Sequence, residues 1–323
     1  MNKVYKVSKA TDVDGKTALA ENAGTTGGYT VPTEFGGRLL EIAKDFNALR
    51  QAGALVQPMN SRTKEFYVLD IETAPSAGNT AYAGGAIAYW MEEAASITES
   101  EPKFREIRLV AHKLAGLALA SNEIRADSAE SVDGLLFNSF GMALGAAEEY
   151  AFFRGDGVGK PLGILNSGAL KSQTRSASSA VALADVAKLM SGMVQDGWKT
   201  GAFFINHTVI EKLIQLVSNP ISWATNLRDG IPVTLLGRPT YVVGCLPALN
   251  TAGDILFVDP KYYVVGDRQM PTLGYSEHYK FANDQGAWRV IQRVDGQPMI
   301  DNTITLEDAS TTVSPFVALA AGT

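Results

Sequence analysis

The sequence predicts a mixed α+β fold, a body from which two segments project. Three observations carry that expectation. A proline-free helical pattern runs unbroken from Asp127 to Phe153. Helical and strand patterns then alternate between residues 183 and 294. Two further stretches, residues 1–29 and 60–110, hold too little apolar material to bury themselves.

Residues 1–29 are polar, rich in Gly and Thr, and read as an extended arm. The arm closes with Thr25-Thr26-Gly27-Gly28-Tyr29-Thr30-Val31-Pro32, a turn leading into an extended segment. Residues 33–47 follow as a short helix, with Phe35, Leu39, Ile42, Ala43 and Phe46 at helical spacing. Strand patterns at residues 64–71 and 104–110 flank a middle rich in Gly, Ala, Ser and Glu. Residues 60–110 therefore read as a long β-hairpin, since an irregular stretch of that length within a domain is functional or disordered. Within it, Tyr89 and Trp90 mark a surface that something else covers, and Glu92, Glu93, Glu99 and Glu101 form an acidic run.

A strand at residues 114–120 precedes the long helix. Asp127 and Glu130 resemble a capping box with Asp in place of Ser or Thr. Val132, Leu136, Phe140, Ala143, Ala147 and Ala151 mark one face, over about seven turns of ~3.6 residues. Gly134, Gly141 and Gly145 each weaken such a helix by about 1 kcal/mol relative to Ala when exposed. Gly155-Asp156-Gly157-Val158-Gly159-Lys160-Pro161 stops it. Beyond lie helices at residues 183–195 and 208–217. Strands are expected at residues 202–206, 234–236, 240–243, 255–258, 262–265 and 287–294, with a turn at Gly237-Arg238-Pro239.

A chain of 323 residues accommodates about two domains at roughly 150 residues each. Its 46% hydrophobic and 19% charged fractions are those of an ordinary globular protein. No apolar run approaches the ~20 residues that span a bilayer, and residues 1–10 lack the apolar core of a signal peptide. The single Cys245 forms no intrachain disulfide, so the expectation is no membrane span and either residence in a reducing cytoplasm or a stability that does not depend on redox state. Lys and Arg total 28 against 34 Asp and Glu, for a net charge of -6. That balance lacks the basic excess of a protein that grips nucleic acid.

Catalytic motifs fail on spacing. A phosphate-binding loop ending at Lys160 needs Gly at position 154 and Ser or Thr at 161, where the chain has Arg154 and Pro161. The dinucleotide pattern fails because Lys160 stands where its third glycine belongs. Asp12-Val13-Asp14-Gly15 lacks the third oxygen ligand of a calcium loop. His112, His207 and His278 have no paired spacing, and no Gly-x-Ser-x-Gly elbow is present. The glutamates of the hairpin lie in an exposed loop, where nothing shifts their pKa values. Cys245, at an apolar strand end, reads as a small buried hydrophobe. No cofactor, metal or catalytic residue is expected.

The order of several blocks resembles the tailed-bacteriophage major capsid protein family, with its Hong Kong 97-type fold, from Gly27 to about Val294. Gly27-Gly28-Tyr29-Thr30-Val31-Pro32 resembles the family's junction of arm and body. Trp90 with Glu93, then Pro102 and Phe104, resembles the descending limb of its extended loop. Ser121-Asn122-Glu123-Ile124 with Asp127-Ser128 is similar to the entry of its spine helix. The most specific block is Phe153-Arg154-Gly155-Asp156-Gly157, followed by Gly159, Pro161 and Gly163-Ile164-Leu165, which resembles the loop closing that helix. Phe204-Ile205-Asn206, Leu235-Leu236-Gly237-Arg238-Pro239 and Leu246-Pro247 match the axial domain in type and order. Arg293-Val294-Asp295-Gly296 resembles the closing strand of the peripheral domain.

The resemblance implies a division into an N-terminal arm (1–32), a first peripheral part (33–59) and an extended β-hairpin loop (60–110). The peripheral domain resumes with the spine helix and following loop (111–180). An axial domain (181–270) and peripheral closing strands with a C-terminal tail (271–323) complete it. Pro315-Phe316-Val317-Ala318-Leu319 in that tail reads as a last docked strand or a small interface element. The implied function is structural: hexamers and pentamers of an icosahedral head enclosing double-stranded DNA, assembled in the host bacterial cytoplasm. Implied partners are further copies of the chain, a separate scaffolding protein, a portal, and packaged DNA by non-specific proximity. The implied assembly contacts are Tyr89, Trp90, Glu92 and Glu93 in the extended loop, and Gly155, Asp156, Gly157, Pro161 and Gly163 after the spine helix.

Two alternatives stay open at this point. An encapsulin-like compartment shares the fold but encloses enzymes. A soluble α/β enzyme would need a tight cluster around His207 or His278. Some family members weld neighbours through a lysine near the extended-loop tip, joined to an asparagine of another subunit. Residues 71–90 contain no lysine, so assembly here is expected to be non-covalent. Boiled, denatured particles should run on a gel as monomer, and a ladder of multimers would refute this.

Overall fold

A computed structural model describes residues 47–72, 84–86, 88–93, 96, 99–127, 132–178, 180–215, 234–308 and 310–322. The expected arm, most of the helix at residues 33–47, and Glu130 lie outside the described residues. The helices are α1 (Ala48–Gln51), α2 (Asn122–Asp127), α3 (Val132–Arg154), α4 (Leu183–Ser191), α5 (Gly197–Thr200) and α6 (His207–Gln215). The first strands are β1 (Leu55–Pro58), β2 (Thr63–Leu69), β3 (Phe104–Val110), β4 (His112–Ser121), β5 (Lys171–Gln173), β6 (Ala202–Ile205) and β7 (Thr234–Leu235). They continue with β8 (Arg238–Val242), β9 (Ile255–Val258), β10 (Tyr263–Lys280), β11 (Gln285–Pro298), β12 (Ile304–Thr305), β13 (Thr312–Val313) and β14 (Phe316–Leu319).

The chain divides into two units. The larger comprises residues 45–112, 145–268 and 293–323. Its centre is a six-stranded sheet in the order β5-β14-β9-β6-β8-β7. β14, β9 and β6 are apolar at every position and buried at every position. Such uninterrupted runs belong to strands covered on both faces. Val186 and Leu189 of α4, Val209 and Leu213 of α6, and Phe152 and Phe153 of α3 join their core. The ring of Phe153 lies 5.2 Å from that of Phe204, and Phe203 stacks on Phe257 at 4.4 Å. Each such fully buried ring contributes roughly 1.5–3 kcal/mol relative to exposure.

The smaller unit has residues 113–144 and 269–292 among its segments. There Ala120, Ile124, Leu136 and Trp288 form a core with Ala118 and Phe140 against it. At Gly116 a Cβ would lie 3.1–3.2 Å from the Phe140 ring and Val290, so a side chain there would press on this core. Within the larger unit, β1 runs parallel to the start of β10, from Leu55 beside Val264 to Pro58 beside Asp267.

Several expectations shift. Asp127 lies within α2, and the rest of the expected capping box falls on residues 128–131, outside the described residues. α3 has 23 residues, about six turns at ~3.6 residues each. Its buried row is Leu136, Leu144, Glu148 and Phe152 with half-buried Phe140, at steps of four, whereas Ala143 and Ala147 are exposed. The reason is Glu148, a charge sitting on the apolar face. The turn after β7 falls on Leu236 and Gly237, at φ 50° and 76°, so Arg238 and Pro239 belong to β8 and pair with Leu235 and Thr234. α4 ends at Ser191, before Gly192, and β10 runs far past Val265. Pro315 to Leu319, left open by the sequence, delivers a docked strand: β14 pairs with β9 and β5.

Glu148 is 4% exposed and is held by Arg50. The Arg50 Nε donates to Glu148 Oε1 at 2.7 Å, and its two terminal nitrogens donate to the Asp267 carboxylate at 2.7 and 2.6 Å. The guanidinium also lies over the Phe152 ring, 5.8 Å from its centroid. This triad ties α1, α3 and β10 together. Removing one member of a buried pair strands the other charge, which costs roughly 3–5 kcal/mol. Arg50→Ala, which leaves the buried Glu148 carboxylate without its cation, should therefore lose about that much stability in chemical denaturation of the unassembled subunit. Removing Glu65 from its exposed pair with Arg108 should cost below about 1 kcal/mol.

Candidate functional site

β2 and β3 form a two-stranded antiparallel ribbon, with Thr63 opposite Val110 and Leu69 opposite Phe104. Side chains alternate between its faces. Phe66, Ile107 and Leu109 turn inward, where Leu109 clusters with Met59, Ala111 and Val264, and Phe66 and Met299 pack against that cluster. Tyr67, Leu69 and Phe104 turn outward and are 71%, 39% and 67% exposed. Near its far end, the Lys103 N–H donates to the Gly84 carbonyl at 2.8 Å, and a Cβ on Gly84 would meet Leu69 at 2.5 Å.

The four residues expected to act in this segment are all exposed: Tyr89, Trp90, Glu92 and Glu93. Trp90 is exposed over its whole side chain. A fully wetted indole is among the largest apolar surfaces a single residue can present. With Tyr67 and Phe104 it makes this segment rich in uncovered aromatic surface.

The base of the ribbon is fastened. Asp295 is 2% exposed, and its Oδ2 accepts from the Val110 N–H at 2.6 Å. Burial pushes the Asp295 carboxyl above its ordinary value, while the Val110 and Gly296 N–H groups and the nearby His112 pull it back.

The loop after α3 is a second, tightly built element. The Gly155 N–H donates to Ala151, extending the helix ladder, and the Gly163 N–H donates back to Gly155 at 2.9 Å. A Cβ on Gly155 would lie 2.1 Å from the Pro161 carbonyl oxygen, and one on Gly163 within 2.6 Å of the Gly155 and Arg154 nitrogens. Those two glycines exist for close approach of backbone to backbone. Gly157 and Gly159 serve a different need, φ values of 77° and 68°, which side chains disfavour.

Asn166 Nδ2 caps the end of α3 through the carbonyls of Arg154 and Gly155. The Tyr263 hydroxyl, from β10, donates to the Leu162 carbonyl at 2.8 Å. The Asp156 carboxylate accepts from the Val158 N–H at 3.0 Å and pairs with Lys160 at 3.3 Å, which holds its pKa below the ordinary value. Pro161 is buried, whereas Asp156, Gly157, Val158 and Lys160 are exposed, Val158 to 80%. The result is a rigid loop that displays a small apolar tip.

His207 and His278 are both exposed. Among the described residues no three His, Cys, Asp or Glu side chains could together hold a metal ion. A cavity of about 370 Å³ lies beside the end of α3, lined by Tyr150, Arg154, Leu165, Asn166 and Pro247 among others. Cys245 is half-buried in a turn, where burial and nearby Glu149 push its thiol up to about 12. It therefore stays protonated and unreactive near neutral pH.

Sequence reasoning missed Glu72, Arg105, Tyr67 and Leu69, and placed Phe104 and Asp295 in blocks without assigning either a contact. Both faces of the ribbon carry large apolar side chains, so alternation alone did not separate the covered face from the open one. The glycine and proline spacing from Gly155 to Gly163 does mark the loop that closes α3, because glycine spacing records backbone geometry directly.

A model of the phage capsid family matches residues 27–307. The major capsid protein of Klebsiella oxytoca phage phiKO2 is 26% identical over 148 residues, 46% of this chain. That stretch is 31% of the relative's length, so the match spans about a third of the relative. Among solved structures, the capsid of a native GTA particle computed with C5 symmetry superposes with a TM-score of 0.69 at 22% identity, covering 94% of this chain and 100% of that one. A chain from Microbacterium phage Oxtober96 does so at 0.65 and 16% identity, covering 94% and 99%. A chain from Mycobacterium phage Cain does so at 0.64 and 16%, covering 93% and 98%. At these identities the likeness is one of fold.

The two kinds of glycine in the loop after α3 separate experimentally. Gly159→Ala meets open space and should cost only its left-handed backbone, roughly 1–2 kcal/mol. Gly155→Ala drives a methyl into two carbonyl oxygens and should cost several times more, read as midpoints of chemical denaturation. Equal effects would mean that the loop is not built as described.

Proposed function

The chain belongs to the phage capsid family, and from that premise we propose that it is a major capsid protein that assembles into the hexamers and pentamers of an icosahedral phage head enclosing double-stranded DNA. The observation that carries the proposal is the wetted aromatic row on the β2–β3 ribbon together with Trp90. A protein that worked as a monomer would gain nothing from leaving such side chains in water. On a shell subunit they are buried by a neighbouring copy, and closed symmetry then satisfies every copy alike.

In this reading α3 is the spine helix and residues 60–110 are the extended loop. The six-stranded sheet belongs largely to the axial domain (181–270), and the peripheral domain takes residues 33–59, 111–180 and 271–323. Residues 1–32 are the arm. Tyr89, Trp90, Glu92 and Glu93 meet a neighbouring subunit. The loop of Gly155, Asp156, Gly157, Pro161 and Gly163 presents Val158 to another. The chemistry asked of these residues is association alone, with no covalent step. A net charge of -6 suits a wall that lies beside DNA without gripping it. A scaffolding protein and a portal complete the partner set, and assembly takes place in the host cytoplasm.

Electron micrographs of the purified chain test this. Hollow or filled icosahedra are expected, and a persistent monomer under all assembly conditions would overturn the proposal. Trp90→Ala should leave the subunit soluble and folded by circular dichroism while lowering particle yield at least about tenfold, the loss expected of a central aromatic contact. Normal particles from that variant would remove Trp90 from the interface.

A further inference from the structure

The ribbon is fastened to the larger unit at a second place, far from its base. Arg105 stands on β3 opposite Val68, five residues from Val110, or about 17 Å at ~3.4 Å per residue. Its guanidinium donates to Glu72 Oε1 at 2.5 Å, to the Met299 carbonyl, and pairs with Asp301 at 3.0 Å. Glu72 closes the bracket from the other side. Its carboxylate accepts from the Asp301 N–H at 2.5 Å and from the Asn302 side-chain amide at 3.0 Å. Glu72 is itself positioned by an N–H donated to Asp70 Oδ1 at 3.1 Å. The Arg105 and Glu72 side chains are only 20% and 12% exposed, so water competes weakly for these bonds.

Both anchors grip one stretch of chain, Asp295 at the base and Met299 to Asn302 farther out. A rod pinned once can swing, whereas a rod pinned at two separated points cannot. We propose that Arg105 is a positioning residue that aims the ribbon in the free subunit, so that its outward row, Tyr67, Leu69 and Phe104, is oriented before any neighbour arrives. This rests on reading the ribbon as an assembly element. An ordered ribbon spares the association step the entropy of fixing its direction. Releasing it lowers the fraction of competent subunits and raises the apparent dissociation constant in proportion.

The test separates aim from assembly. Spin labels are placed at Glu106→Cys on the ribbon and Glu307→Cys in the turn after β12, both exposed, in a Cys245→Ala background. Distance distributions are measured on unassembled full-length chain. A narrow distribution is expected with Arg105 intact, and one at least about twofold broader with Arg105→Ala. The concentration needed for particle formation should rise about tenfold if roughly one subunit in ten remains correctly aimed. Equal widths in the two chains overturn the proposal. A broadened distribution with unchanged assembly upholds the anchor and refutes the ribbon's assembly role. If Arg105→Ala does not stay soluble, Glu72→Gln takes its place. It removes the partner's charge but keeps an acceptor, and the same two readings decide.

Discussion

The pairing of Arg50 with Glu148 and Asp267 is the constraint on which the larger unit depends. A carboxylate in the middle of the buried row of α3 would be prohibitively costly alone. Arg50 makes it tolerable by offering one donor edge to Glu148 and the other, in a two-pronged contact, to Asp267. The same guanidinium covers the Phe152 ring, so the charged contact and the aromatic core meet at one residue. Because the three groups come from α1, α3 and β10, none of those elements can slide without stranding a charge. Specificity of position, more than net stability, is what such a buried triad confers.

With that corner held, the end of α3 is defined and the glycine loop after it can be built at backbone contact distance. Gly155 and Gly163 touch neighbouring backbone, and Tyr263, which follows Asp259-Pro260 into β10, holds Leu162 from beneath. The ribbon draws on the same neighbourhood through Asp295 and Met299 to Asn302. Two displayed features therefore rest on rigid supports, the small apolar tip at Val158 and the aromatic row on the ribbon. Function by association asks for this combination, since a surface that is already ordered loses less entropy when it is covered.

A good deal was legible in the residues. Uninterrupted apolar runs marked β6 and β9, glycine and proline spacing marked the loop that stops α3, and the poverty of apolar residues marked the hairpin. What escaped was anything that depends on a partner distant in sequence. Steps of three and four put Ala143 and Ala147 on the buried face of α3, whereas the structure buries Leu144 and Glu148 in their place. The partners of Glu148 lie 98 residues earlier and, through Arg50, 217 residues apart, and no periodicity records that. Arg105 and Glu72 were missed for the same reason. The turn falls at Leu236-Gly237 and not around Pro239, because the start of β8, ahead of its pairing with β6 from Thr240, tolerates a proline.

The hairpin on which the functional reading turns shows where the boundary lies. Sequence alone marked residues 60–110 as poor in apolar material and singled out Tyr89 and Trp90 within them, because composition and period are local properties. Only the tertiary structure decided which face of the ribbon is open and what holds it in place. Phe66, Ile107 and Leu109 face in and Tyr67, Leu69 and Phe104 face out because Met59, Val264 and Met299 happen to lie on one side. Those neighbours are brought there by folding, and a strand with apolar residues of both parities carries no local mark of which side they will occupy.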